Sequence, residues 1–362
     1  MKIRENVPIS SLTTMRIGGD ARFVLEVTEL SEIAEAFDFA KKHKLPVWVM
    51  GGGANTIGRD EGFDGVIILN KLRGIEIISQ TADEVEICAM GGEDWDNLVA
   101  FACERGYSGI EALSKIPGSV GAAPVQNIGA YGQEISQVVE SVEAYDTSTS
   151  ELVVIGKEEM QMRYRSTIFN TGADAGRYFI VSVTLLLENE ASLAPPFYNS
   201  LQKYLDEHSV TDYTPLAIRE AVSAVRAEKL PDPAVEPSAG SFFKNIYLDD
   251  SAADEAEARG IKVIRKNGEN KISSGYLIEK AGLKGREFHG FVVSEKAALI
   301  LINKSAKSYA DLDAARTEIR KIVFDKFGYK LEQEPVELAV DDDKSGSDEE
   351  HIRDNTSDGD VN

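Results

Sequence analysis

At 362 residues, 43% of them hydrophobic, the chain is long enough to bury a sizeable core and to divide into two or three lobes. Its net charge of −22 sets it against a nucleic-acid backbone or an anionic membrane as partner. No run of 18 apolar residues occurs, which excludes a transmembrane helix.

The opening segment, MKIRENVPISSLTT, carries charge with no apolar stretch behind it, so no secretory signal is expected. Residues 29–44 place Leu30, Ile33, Ala34 and Phe37 on one helical face. KLPVWVM then reads as a short buried strand that breaks into the glycines of residues 51–53, and 65–70, 75–79 and 84–90 read as further strands. A helix over 93–106 turns Trp95, Leu98, Val99 and Ala102 inward. The stretch 107–135 is rich in glycine and proline, and strands over 141–146 and 178–187 follow it.

Residues 188–213 are polar, hold Pro195-Pro196 and read as a linker. Thr214-Pro215 starts a helix, with threonine as cap and proline in the first turn. That helix faces Ile218, Ala221, Val222 and Val225 inward and stops at LPDP. Strands at FVVS and ALILIN precede a helix that runs from Ser308 to a left-handed cap at Gly328. Residues 341–362 hold nine acidic residues against two basic ones, too few of them apolar to offset the entropy of ordering, so a disordered tail is expected. The chain shows no internal repeat. Its two cysteines, Cys88 and Cys103, sit in apolar patterns and read as core thiols of a reducing compartment. The histidines His43, His208, His289 and His351 share no ligand spacing with them, so no metal is expected.

The densest motif is IPGSVGAAPVQNIGAYG, residues 116–132, in which Gly118, Gly121, Gly129 and Gly132 alternate with small uncharged residues. Backbone without side chains approaches a ligand closely, and successive N–H groups form nests for pyrophosphate oxygens. VMGGGANT, residues 49–56, reads equally as a second nest or as a structural turn. It is not a dinucleotide fingerprint, because Thr56 stands where the third glycine should fall. Two nests without a Rossmann segment favour a large diphosphate cofactor such as FAD. In GSFFKN, residues 240–245, no histidine is near and GxSxG is unmatched, so the residues alone make Ser241 a cap or core-edge serine. Arg163 and Arg165 flank Tyr164, as surface ion pairs or as fixed charge for an oxyanion. Lys229, Lys244 and Lys284 are phosphate candidates or solvated surface lysines.

Read in order, TTMRIGG (13–19), GGGANT (51–56), the 116–132 stretch, YRSTIF (164–169), KLPDP (229–233), AGSFFKN (239–245), SGYLIEKAGLKG (274–285) and LEQE (331–334) resemble the UDP-N-acetylenolpyruvoylglucosamine reductase (MurB) family. The resemblance covers about residues 8 to 340. It implies an α+β protein with an FAD-binding fold of the vanillyl-alcohol-oxidase (PCMH) type in two N-terminal lobes, 1–70 and 71–200. A C-terminal α+β substrate lobe, 201–340, would follow, its last strand able to return to the FAD lobes. The activity implied is a UDP-N-acetylmuramate dehydrogenase of the cytoplasm, a monomer in cell-wall peptidoglycan synthesis. NADPH would reduce a non-covalent FAD and leave, and the enolpyruvyl ether of UDP-N-acetylglucosamine would enter the same pocket.

By the same resemblance the cofactor contacts would be Gly51, Gly52, Gly53, Ala54, Asn55 and Thr56 in one loop. The other loop would contribute Pro117, Gly118, Ser119, Gly121, Ala122, Gln126, Asn127, Gly129, Ala130 and Tyr131. Ser241 matches the proton donor, with Lys244 or a water chain to assist it, and Arg165 the group that stabilises the oxyanion. The family glutamate falls on Glu334, with Glu332 as competitor, and Pro335 departs from the expected valine. Tyr164, Tyr198, Lys229, Asn245 and Lys284 match substrate positions. Ala54 replaces a common serine, and Thr13 an asparagine. A different flavin oxidase of the same fold would explain the glycine loops but not GSFFKN, KLPDP and GLKG together. A non-catalytic sugar-nucleotide sensor would have no use for an acid and an oxyanion clamp. Truncation after Val340 should leave flavin content and turnover unchanged; a tenfold loss of turnover would make the tail part of the site.

Overall fold

The computed structural model describes residues 1–189, 193–195, 197–266 and 268–339; Pro196 and the expected acidic tail lie outside the described residues. The chain begins with β1 (Lys2–Pro8), β2 (Asp20–Val27), α1 (Ser31–His43), β3 (Val47–Met50), β4 (Thr56–Gly58) and β5 (Phe63–Asn70). A sheet of order β1-β2-β5-β3 forms, parallel except for the β1–β2 pair. Strand β5 is apolar from Val66 to Leu69 because both of its faces are covered there. Val66 and Ile68 share a core with Tyr145, Phe179 and Val181 of the next sheet, whereas Ile67 and Leu69 lie in a core with Met50 and Leu338. Strand β1 escapes sequence reading because most of its side chains are exposed, which leaves no apolar alternation to read.

Helix α1 is rotated from the expected face. It buries Ile33, Ala36 and Ala40, while Leu30 and Ala34 are exposed. The helix starts at Ser31, and Glu32 turns back to accept the Thr28 and Glu29 N–H groups at 2.7 and 3.1 Å, which leaves Leu30 outside.

The second sheet uses β6 (Ile75–Gln80), β7 (Glu84–Met90), β10 (Val139–Asp146), β11 (Glu151–Gly156) and β12 (Tyr178–Glu188), all antiparallel in the order β11-β10-β12-β7-β6. Between β7 and β10 lie α2 (Trp95–Cys103) and the hairpin β8 (Gly129–Ala130) and β9 (Gln133–Glu134). Helix α2 is capped by Asp94, which accepts the Asn97 N–H at 3.0 Å, and it buries Trp95, Leu98, Val99 and Ala102 as its pattern predicts. Cys103 is buried, and burial pushes its thiol up to about 12, so no thiolate forms there near neutral pH. Cys88 is only half-buried, unlike the core position expected of it.

The expected linker contains a helix. Residues Asn199–Glu207 form α3, whose Leu201 and Leu205 pack on Ile218, Ala221 and Val222 of α4 (Pro215–Lys229). Two leucines one turn apart are too sparse a pattern to stand out among polar residues. The α3–α4 pair is bolted to α2 by a bidentate pair, in which Arg219 Nη1 and Nη2 donate to Asp96 Oδ1 and Oδ2 at 2.6 and 2.9 Å. Lys115 N and Nζ donate to the same carboxylate, each at 2.7 Å.

Beyond α4 come β13 (Ile246–Leu248), α5 (Asp250–Ala258), β14 (Ile264–Lys266), β15 (Glu269–Ile272), α6 (Ser274–Lys280), β16 (Glu287–Phe288), β17 (Phe291–Val293), β18 (Leu301–Asn303), α7 (Tyr309–Phe327) and β19 (Val336–Leu338). Two antiparallel three-stranded sheets, β13-β15-β14 and β16-β17-β18, enclose a core of Phe242, Leu277, Phe291 and Ile319 that also takes in Met15, Ile17 and Ile57. The C-terminal lobe is thus welded to the N-terminal segment by shared apolar burial. Helix α7 has the expected caps: Ser308 and Asp311 form a capping box, and Gly328 takes φ +78°. Strand β19 then leaves this lobe and pairs in parallel with β4, Val336 opposite Thr56. Among the described residues no helix is long and apolar enough to cross a membrane.

Burial alone would raise the Asp96 carboxyl, but Arg219 and Lys115 hold it far below the usual carboxylate range. A depressed folded-state value stabilises the protein fully above the unfolded value of about 3.9 and loses that stabilisation as pH falls through it. Asp96→Asn should therefore cost about 2–3 kcal/mol in chemical denaturation at neutral pH, below the 3–5 of a fully buried pair. The variant should also lose less stability than the parent on acidification. Equal stability of the two proteins at neutral pH would contradict this account of the bolt.

Candidate active site

The two glycine loops are one structure. After β3 the chain turns through Gly51, Gly52 and Gly53 and passes Ala54 and Asn55 before Thr56 opens β4. A Cβ on Gly51 would lie 2.2 Å from Ser119 Oγ, and one on Gly52 3.2 Å from Gly118 Cα. Gly53 takes φ +64°, and a Cβ there would lie 2.0 Å from the Leu12 carbonyl oxygen. Only glycine lets three segments approach so closely. Asn55 Nδ2 donates to Gln126 Oε1 at 2.8 Å and ties the loops together.

Pro117 and Gly118 lead into a segment pinned beside the start of α2. The Trp95 N–H donates to the Gly118 carbonyl at 3.1 Å, and the Gly121 N–H to the Gly91 carbonyl at 2.8 Å. Ala122 and Pro124 continue it as short 3-10 turns. Asn127 (φ +43°) is buried; its Nδ2 donates to Glu134 at 2.9 Å and its Oδ1 accepts the Ser136 N–H at 3.1 Å. Gly129 and Ala130 pair with β9, and Tyr131 (φ +49°) and Gly132 (φ +91°) form the hairpin tip, with the two positive angles that such a turn requires.

A cavity of about 430 Å³ opens between these loops and the C-terminal segment, lined by Leu12, Thr13, Gly52, Pro117 and Pro233 among others. In its wall the buried Thr13 hydroxyl has no hydrogen-bond partner among the described residues. A buried hydroxyl left unpaired costs about 1–3 kcal/mol, and with the close-packed glycines it marks a place shaped for a ligand with polar atoms. The residues present fit a large diphosphate cofactor.

Charge collects one step away. Arg165 sits in a tight turn, with Arg163 N donating to the Ser166 carbonyl at 2.8 Å and Ser166 N returning to Arg163 at 3.2 Å. Arg165 itself takes φ +55°, a strained angle for a side chain of this size, and Asn170 Nδ2 holds its carbonyl at 3.0 Å. The guanidinium spans two chains: Nε donates to Glu334 Oε1 at 2.6 Å and Nη1 to the Asn127 carbonyl at 3.3 Å.

Glu334 arrives on an extended segment beside Ser241–Lys244. Its N–H donates to the Phe242 carbonyl at 3.0 Å, and Lys244 N donates to the Glu332 carbonyl at 2.9 Å. The two glutamates of the motif are two residues apart, a spacing that alternation in an extended chain would put on one face, so burial and partners, not alternation, separate them. Glu334 has 11% of its side chain exposed and meets Arg165, whereas Glu332 has 74% exposed and meets Lys244 at 3.6 Å. Burial pushes the Glu334 carboxyl up, against the opposing pull of Arg165 and Lys244.

Ser241 follows Gly240 (φ +68°) and is exposed, bridging Ile300 through backbone. Asn245 donates from both N and Nδ2 to Tyr164 Oη at 3.4 Å, and its Oδ1 accepts the Ser274 N–H at the start of α6 at 3.3 Å. Tyr198 caps α3, half exposed, with its ring 5.7 Å from that of Tyr131 and edge-on to it. Lys229 ends α4 in the open, and Lys284 meets Glu279 at 3.8 Å. These two lysines make no hydrogen bond to the Arg165–Glu334 pair among the described residues. Sequence reading missed Arg226, one helical turn before Lys229, which donates to the Lys115 carbonyl at 3.1 Å. Its three-residue spacing from Lys229 on a helix was the available signal.

A family model described as an FAD binding domain matches residues 21–156. A second, the C-terminal domain of UDP-N-acetylenolpyruvoylglucosamine reductase, matches residues 232–338. The fold is thus the expected α+β class, an FAD-binding unit joined to a distinct C-terminal domain. A UDP-N-acetylenolpyruvoylglucosamine reductase of Burkholderia orbicola is 35% identical over 91% of this chain and 95% of its own length. One from Ralstonia nicotianae is 36% identical over 91% and 97%. The chain belongs to the UDP-N-acetylenolpyruvoylglucosamine reductase family. The crystal structure of a reductase of that name (MurB) from Thermus caldophilus shares the fold, with a TM-score of 0.65 at 21% identity over 93% of this chain and 98% of that one.

Gly53→Ala puts a Cβ on the Leu12 carbonyl in a left-handed conformation. The variant should bind added FAD more weakly than the parent, read by quenching of free flavin fluorescence, with unchanged far-ultraviolet circular dichroism. Unaltered affinity would show that this loop does not shape the cofactor site.

Proposed function

We propose that the protein reduces the enolpyruvyl ether of UDP-N-acetylglucosamine to UDP-N-acetylmuramate, with FAD as cofactor and NADPH as co-substrate, for peptidoglycan synthesis in the cytoplasm. The observation that carries the reading is the Arg165–Glu334 pair, placed beside the extended Ser241–Asn245 segment next to the glycine loops. The substrate class comes from the names of the relatives.

Residues 51–56 and 117–131 would hold FAD, which when bound supplies hydride from NADPH to the terminal methylene of the enolpyruvyl group. Neither segment contains histidine or cysteine, the side chains that commonly tether a flavin, so the cofactor is non-covalent. Arg165 offers a fixed positive charge to the oxyanion that develops beside the accepting carbon. Glu334 takes the guanidinium Nε and so sets the plane of that charge. Ser241, exposed at the start of this segment, delivers a proton to the neighbouring carbon, and Lys244 three residues on lends the positive charge that a weak hydroxyl acid needs. Tyr164 and Asn245, already hydrogen-bonded to each other, present a polar wall to the sugar. Tyr198, Lys229 and Lys284 reach the diphosphate from the rim.

Ser241→Ala tests the assignment, because protonation belongs only to the half-reaction in which substrate takes up hydride. Stopped-flow absorbance should show bleaching by NADPH near the parent rate and reoxidation by substrate slower by roughly a hundredfold. Arg165→Ala should slow reoxidation through an electrostatic loss of about 3 kcal/mol. Equal slowing of both halves in Ser241→Ala would make the serine a packing residue.

A further inference from the structure

The side chain next to Glu334 turns to the other face of the extended segment and enters a polar cluster outside the proposed site. Gln333 Oε1 accepts from Arg316 Nη1 at 2.6 Å, and its Nε2 donates to the Pro335 carbonyl at 2.8 Å. Arg316 lies on α7 with 12% of its side chain exposed; it also donates to Glu337 of β19, and its Nη2 to Tyr309 Oη at 2.7 Å. Glu337 further accepts from Tyr309 Oη at 2.8 Å and from Arg59 Nε and Nη2 at 3.0 and 2.9 Å. Arg59 directly follows β4, and the adjacent Asp60 accepts the first N–H groups of α7, Tyr309 at 2.6 Å and Ala310 at 2.9 Å. The cluster therefore joins three elements, namely the end of the glycine-loop strand, the long C-terminal helix and the last strand.

Both sides of the Glu334 backbone are held by this arrangement. Val336 N donates to the Asn55 carbonyl at 2.9 Å on the C-terminal side, and Gln333 is gripped by Arg316 on the N-terminal side. A displacement of about 1 Å in a catalytic constellation costs on the order of a hundredfold in rate, so a fixed backbone on each side of the carboxylate has a functional consequence. We infer that Gln333, through Arg316 and Glu337, is a positioning residue that sets Glu334 against Arg165 for the reduction of substrate. The inference rests on the reading of Glu334 given under the proposed function.

Gln333→Met keeps the length of the side chain and removes its three hydrogen bonds, to Arg316, to the Pro335 carbonyl and, at 3.4 Å, to Glu337. Bleaching by NADPH should proceed at the parent rate, while the limiting rate of reoxidation by UDP-N-acetylglucosamine enolpyruvate falls about tenfold with little change in the concentration at half-saturation. In a double-mutant cycle, Gln333→Met combined with Glu334→Gln should be no slower than Glu334→Gln alone, because the first residue acts through the second. Additive losses, or equal slowing of both half-reactions, would reduce Gln333 to a stabilising contact and overturn the inference. Parent reoxidation in Gln333→Met beside slow Glu334→Gln would overturn it while leaving the reading of Glu334 intact; a parent rate in Glu334→Gln would overturn both. Should Gln333→Met fail to fold, Arg316→Lys, which keeps the charge but not the forked donor, takes its place in the same cycle with the same expected result.

Discussion

One closed circuit of bonds organises the molecule. Asn55 in the first glycine loop grips Gln126 in the second; the carbonyl of the adjoining Asn127 receives Arg165; Arg165 holds Glu334; and two residues on, Val336 returns to the Asn55 carbonyl. Four segments widely separated in sequence meet in this circuit, and the Arg165–Glu334 bond at 2.6 Å is its shortest link. Removing either charge would leave the other in a largely dry site, which costs far more than a surface pair contributes. The same low exposure strengthens whatever field Arg165 offers a neighbouring anion.

The circuit explains why the C-terminal strand crosses back to the first lobe. Strand β19 adds little to any sheet, since among the described residues it pairs only with the three-residue β4. Its placement brings Glu334 to the loops, and Leu338 closes a core with Met50 and Leu69. The shared apolar core of Met15, Ile17 and Ile57 with the C-terminal helices performs the larger weld. Apolar burial supplies the adhesion, and the polar links set the register.

Much of this was legible in the residues. The glycine loops announced close backbone approach, the helices at 95 and 215 carried stripes strong enough to place their inward faces, and those at 215 and 309 carried readable caps. What escaped had a physical cause in each instance. Strand β1 is mostly exposed and so shows no alternation, and α3 presents only two leucines. Helix α1 started two residues later than its pattern suggested, which left Leu30 at its cap and exposed. The motif LEQE offered two carboxylates, and only burial and the Arg165 contact separate Glu334 from Glu332. Links such as Asp96 to Arg219, or Gln333 to Arg316 and Glu337, join helices and strands whose adjacency is a product of the whole fold. No local spacing records them.

On the proposed function, these loops and this ion pair form one pocket in which a flavin passes hydride to an enolpyruvyl sugar nucleotide. The most direct measurement is an anaerobic titration: FAD-loaded protein is reduced with stoichiometric NADPH, then given UDP-N-acetylglucosamine enolpyruvate, and the products are identified by mass spectrometry. The account predicts full return of the oxidised flavin spectrum with one UDP-N-acetylmuramate formed per flavin. Flavin that stays reduced in the presence of the substrate, or that reoxidises without that product, would contradict it.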